Sequence, residues 1–102
     1  MGFGNLAKMA QQMQTQMARV QAELAALTVE GRAGGGAVTA TVTGTLELVS
    51  LAIDPQVVDP ADVEMLQDLV TVAVNDALRA ARAEADARMA AVTGGLRLPG
   101  LG

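Results

Sequence analysis

A helical pattern that opens at Asp59-Pro60 and runs unbroken to Gly94-Gly95 constrains this chain more than any other feature. Asp59 reads as an N-cap, Pro60 as the first helical position, and Asp62 and Glu64 as first-turn carboxylates at the positive end of the helix dipole. The glycine pair supplies the stop. A helix from about residue 60 to about residue 92 would be ~50 Å long at ~1.5 Å per residue, whereas a small domain is ~30 Å wide. Part of it has to project. Leu66, Leu69, Val70, Val72, Val74 and Leu78 make the first half apolar enough to lie across a sheet, so that half is core. From Arg79 to Ala91 the apolar residues are mainly alanine, good for helix formation and poor for burial, so that half is an arm.

Two other periodicities precede it. Leu6, Met9, Met13, Met17, Val20, Leu24 and Leu27 recur every three or four residues, which predicts an amphipathic helix over about 5–27 with a glutamine-rich outer face. A methionine stripe can form an adaptable binding groove, although packing against a second helix is its commoner use. Leu6, Met9, Met13, Met17, Val20 and Leu24 are therefore candidate helix-packing or dimer contacts, together with Leu66, Val70 and Val74 of the long helix. From Thr28 the period becomes two, predicting antiparallel strands over about 28–33 and 37–43. Gly34-Gly35-Gly36 between them reads as a hairpin turn, since it lacks the lysine and following helix of a phosphate-binding loop. A third strand over about 46–53 is apolar on both faces, as expected of a central strand or one covered on both sides. The expectation is a single α+β domain spanning residues 1–102: helix, three-stranded antiparallel sheet, long helix, and a flexible tail over 94–102.

The residue inventory narrows the function. The chain has no His, Cys, Tyr or Trp, one serine (Ser50) and one lysine (Lys8), so the usual general bases and covalent nucleophiles are nearly absent. It is not expected to be an enzyme, and no cofactor is called for. Asp54, Asp59, Asp62, Glu64 and Asp68 form the densest acidic cluster, but they lack the ligand spacing and central glycine of a calcium loop. Helix capping and dipole compensation account for them better than a metal does. Phe3 is the only aromatic residue, which removes the stacking platforms of single-strand binders. The N-terminus has no basic region followed by an apolar run, and the longest uncharged stretch, Ala33 to Leu46, is too short and polar to span a bilayer. A cytoplasmic protein without a membrane partner is expected.

Net charge is −4, which opposes simple attraction to nucleic acid. The cations on the arm, Arg79, Arg82 and Arg88, each have a carboxylate at helical spacing in Asp76, Asp86 and Glu84. Judged on residues alone, a solvated and self-paired helix face is the better account of them.

The assembled pattern resembles the YbaB/EbfC family of bacterial nucleoid-associated proteins over nearly the whole chain. The resemblance rests on Gly4-Asn5-Leu6 leading into Met9-Ala10-Gln11-Gln12-Met13-Gln14, on Val29-Glu30-Gly31, and on Ile53-Asp54-Pro55. It continues through Glu64-Met65-Leu66-Gln67-Asp68-Leu69-Val70, Ala73-Val74-Asn75-Asp76-Ala77 and Gly94-Gly95-Leu96-Arg97-Leu98-Pro99-Gly100. It implies a tweezer-like homodimer with projecting helices. It further implies binding of double-stranded DNA with low sequence preference, a place in the nucleoid, and a part in nucleoid organisation and gene expression. On that reading Lys8, Arg19, Arg79, Arg82, Arg88 and Arg97, duplicated by the dimer, are the candidate phosphate contacts. The competing reading is a homodimeric interaction scaffold whose methionine-rich first helix docks DNA repair or recombination proteins, without strong DNA contact of its own.

Overall fold

The computed structural model describes residues 3–94, so Arg97 and all of the expected tail over 94–102 except Gly94 lie outside the described residues. Five main elements follow in the expected α+β order: α1 (Phe3–Ala26), β1 (Thr28–Ala33), β2 (Val38–Thr43), β3 (Leu48–Ile53) and α2 (Val63–Thr93). A one-turn 3-10 helix, Pro55–Val57, joins β3 to the segment ahead of α2. The sheet is an antiparallel meander in the order β1-β2-β3. Gly34, Gly35 and Gly36 all take positive φ in the β1–β2 turn, a conformation that side chains with a Cβ resist.

One contact sets how the layers pack. Gly31 of β1 faces α2 so closely that a Cβ built on it would overlap the carbonyl of Ala73 and the amide of Ala77. The helix can come this near because it presents Ala73, Ala77 and Ala81, spaced four residues apart and fully buried, as a smooth seam. Opposite the seam lie Ala33, Val38, Ala40 and Val42. The core is consequently small: Val38 and Val42 are the largest side chains buried completely. Leu66, Val70 and Val74 are half-buried against it.

The start of the long helix differs from the expectation. α2 begins at Val63 with Asp62 as N-cap, its carboxylate accepting the Met65 amide at 3.2 Å. Asp59, expected to be the cap, instead accepts the Ala61 amide at 2.9 Å and closes a separate turn through Pro60. Two aspartates three residues apart offer equivalent caps, and the local turn at Asp59 takes one of them. Helix α2 is still 31 residues long, ~46 Å at ~1.5 Å per residue.

The expectation for the third strand also fails. β3 is an edge strand exposed on both faces, with Leu48, Val49 and Leu51 in the open and Val49 at 58% exposure. Opposite Thr41 and Val42 of β2 the register shifts, and β3 carries the extra residue, Val49, without a cross-strand partner. Helix α2 packs over β1 and β2 and leaves β3 uncovered.

Helix α1 is anchored at its C-terminal end. The Gly44 amide donates to the carbonyls of Leu24 (2.9 Å) and Leu27 (3.1 Å), and a Cβ at Gly44 would stand 2.7 Å from the Leu24 oxygen. From there α1 runs antiparallel to the distal half of α2, with Leu24 near Arg82 and Met9 near Ala91 and Val92. The arm is thus two helices thick, with more to bury than its alanine-rich sequence indicates. Val20 and Leu24 are buried, whereas Leu6, Met9 and Met17 stay exposed. The chain is 72 Å long with a radius of gyration of 19.8 Å, well above the ~13 Å of a compact 100-residue domain.

Replacing Gly31 with alanine should lower unfolding stability by about 2 kcal/mol or more in urea titrations, because the helix must back away from the whole sheet. The same change at Gly35, which has open space but φ of +67°, should cost only about 1 kcal/mol.

Candidate nucleic-acid interface

Helical periodicity places the basic residues of α1 and α2 on the projecting arm, and the pairing of the helices decides which remain available. Arg88 is the most constrained. Its Nε donates to Glu84 on the same helix at 3.0 Å, and its Nη1 donates to Glu23 of α1 at 3.3 Å. Arg79 is tied to Asp76 one turn back. Two of the three helical pairs expected from spacing therefore form. The third does not: Arg82 makes no ion pair among the described residues, although Asp86 stands one turn ahead. Lys8 and Arg19 likewise have no ion-pair partner among the described residues.

Arg19 and Arg88 line one cleft between α1 and α2, with Glu23 on its wall. Arg82 lines a separate cleft that runs beneath α1 past Leu24, Gly44 and Leu46. Lys8 sits nearer the free end of α1, exposed, and Arg79 lies exposed beside Asp76. The candidates are thus spread along the arm rather than gathered into one pocket. Such spacing suits a repeating polyanion better than a single small anion, since a duplex presents one negative charge per ~1.7 Å of axis.

Arg32 was not among the expected contacts. It stands on β1, exposed and paired with Glu30 at 2.9 Å, on the sheet face turned away from α2. Its alternation with Gly31 and Ala33 in β1 was the available signal. The link between Glu23 and Arg88, 65 residues apart, had none.

The carboxylates are distributed differently. Asp54, Asp59, Asp62, Glu64 and Asp68 surround the start of α2, with no lysine or arginine between residues 54 and 68. Those five exceed the chain's net excess of four negative charges. This cluster, five of the eleven carboxylates, lies at the opposite end of a ~46 Å helix from the arm tip, several Debye lengths away at physiological salt, while Glu23, Asp76, Glu84 and Asp86 stand on the arm among its arginines. No helix among the described residues is long and apolar enough to cross a membrane.

Comparison with known proteins agrees with this architecture. A crystal structure of an uncharacterized Helicobacter pylori protein superposes with a TM-score of 0.76 at 25% identity, covering 95% of this chain and 99% of the other. A nucleoid-associated protein of Chloroflexus aurantiacus is 60% identical over 92 residues, covering 90% of this chain and 92% of the relative. One from Moorella thermoacetica is 53% identical, covering 98% of this chain and 99% of the relative. The model of the YbaB/EbfC DNA-binding family matches residues 1–96. The chain belongs to the YbaB/EbfC DNA-binding family, which is not a family of enzymes.

Proposed function

We propose that this protein is a non-enzymatic, nucleoid-associated binder of double-stranded DNA, acting in the cytoplasm as a homodimer whose paired arms grip the phosphate backbone. It would contribute to nucleoid organisation and gene expression with little sequence preference, because phosphate contacts position a protein without reading bases. The observation that carries this reading is the segregation of charge. Lys8, Arg19 and Arg82, free of ion pairs among the described residues, lie on the projecting helices, while the acidic cluster surrounds the far end of α2. Arg79 and Arg88 can join them by exchanging carboxylates for phosphates, since exposed pairs of this kind are worth at most about 1 kcal/mol.

The dimer is supported by what the single chain leaves uncovered. β3 offers an unpaired edge with no charged residue and no proline, and Leu48, Val49 and Leu51 exposed, so that the bulge at Val49 is its one safeguard against pairing. Pairing of two β3 strands across a two-fold axis would satisfy the edge, bury these residues and set two arms on one assembly. Leu51→Lys should convert a dimer to a folded monomer in size-exclusion chromatography with mass detection. A dimer unchanged by this substitution would place the interface elsewhere.

Titration of a labelled random-sequence duplex against salt tests the function. With Lys8, Arg19 and Arg82 acting from both protomers, affinity should fall about 10³-fold between ~50 and ~200 mM salt. Arg82→Ala should shrink the salt slope by about two per dimer, a larger change than Arg88→Ala produces. An unchanged affinity after replacing Arg79, Arg82 and Arg88 together with alanine would contradict the placement.

The scaffold reading draws support from the exposed Leu6 and Met9 on α1. It predicts no direct shift of duplex DNA by purified protein even at low salt, with repair or recombination proteins as the partners instead.

A further inference from the structure

Two apolar stripes, one on each long helix, are opposite in charge. The first lies on the outer turns of α1, where Leu6 is 62% exposed, Met9 is exposed and Met13 is half-buried. From residue 3 to residue 22 this helix carries Lys8 and Arg19 and no carboxylate. The second lies on the first turns of α2, where Val72 is 48% exposed, Met65 is exposed and Leu69 is half-buried between them. Asp62, Asp68 and Asp76 each stand one turn from Met65 or Val72, and no lysine or arginine occurs from residue 33 to residue 78. Asp62 and Asp68 make no ion pair among the described residues.

The chain does not bring the two stripes together. α1 meets α2 with Leu24 near Arg82 and runs from there toward Val92, away from the turns that hold Met65 and Val72. The stripes therefore sit toward the two ends of a 72 Å molecule.

Spacing and charge select the occupant. Leu6, Met9 and Met13 are three and four residues apart, and Val72, Leu69 and Met65, read in reverse, repeat that interval. Two such helices laid antiparallel align three apolar rungs over about 10 Å. The methionines of α1 adapt to the branched side chains of Val72 and Leu69. An acidic rim repels both DNA and a second copy of itself, whereas the basic, carboxylate-free tip of α1 complements it.

We propose that the tip of α1 in one copy docks antiparallel on the first turns of α2 in a second copy, with Leu6, Met9 and Met13 against Val72, Leu69 and Met65. Lys8 then lies within the field of Asp62 and Asp68. The contact is heterologous. Each copy uses two different surfaces and keeps one of them open, so association continues into a head-to-tail row. It is separate from pairing through β3 and requires no DNA.

Sedimentation velocity of the full chain over a rising concentration series, without DNA, reads the row directly. The expected result is growth to larger species as concentration rises, suppressed by high salt. Val72→Lys and Leu6→Glu, both at exposed positions, should each weaken this association ~10-fold or more. An equimolar mixture of the two variants should regain it, because the intact tip of one meets the intact stripe of the other. That rescue also separates docking from folding, since a misfolded variant cannot restore its partner. A chain whose size does not change with concentration overturns the proposal. So does growth that both variants retain, and so does a mixture that stays unassembled, which would assign each stripe to contact with its own counterpart.

Discussion

The approach of α2 to Gly31 is the constraint on which the rest of the molecule depends. A helix seated on backbone through a seam of Ala73, Ala77 and Ala81 lies close to the sheet but buries little per residue. The same seam leaves the sheet narrow relative to its cover, so α2 spans β1 and β2 and passes over the end of the domain. What overhangs becomes the arm. Gly44 repeats the device on a smaller scale, letting the end of α1 settle against backbone and directing that helix along the overhang. Two glycines thereby convert an ordinary set of elements into an elongated chain.

Small contacts also leave apolar surface unspent. β3 and the outer turns of α1 carry leucine, valine and methionine that a larger core would have absorbed. The two surfaces lie in different parts of the fold and differ in character. The β3 edge offers unpaired backbone beside Leu48, Val49 and Leu51. The tip of α1 is a short groove beside the point where α2 ends. Val58, Val63, Met65 and Val72, in and just ahead of α2, are exposed as well and belong to neither surface.

Much of the architecture was legible because it is written in periodicity. The switch from a three-four spacing at Leu6 to Leu27, to alternation from Thr28, and back to a helical pattern defines each element within a few residues of its observed bounds. Boundaries that depend on competition were not legible. Asp59 and Asp62 are equally good caps in sequence, and only the turn through Pro60 decides between them. The two apolar faces of β3 were read as burial within the chain, yet the width of α2 leaves that strand at an edge. For the arm, helical spacing correctly paired Arg79 with Asp76 and Arg88 with Glu84, but local spacing could not reveal that Glu23 also reaches Arg88 while Arg82 stays unpaired. Net charge misled for a related reason. It averages over a molecule in which five of the eleven carboxylates, Asp54 to Asp68, gather around the start of α2.

The central claim is that DNA is held by the paired helices and not by the sheet or the acidic end. The most direct measurement is an amide chemical-shift map of isotopically labelled protein titrated with a random-sequence duplex. The account predicts shifts concentrated in α1 and in α2 beyond Arg79, with residues 54–68 and the outer sheet face around Arg32 unmoved. Shifts centred on Arg32 and the β1–β2 surface, with silent helices, would contradict it.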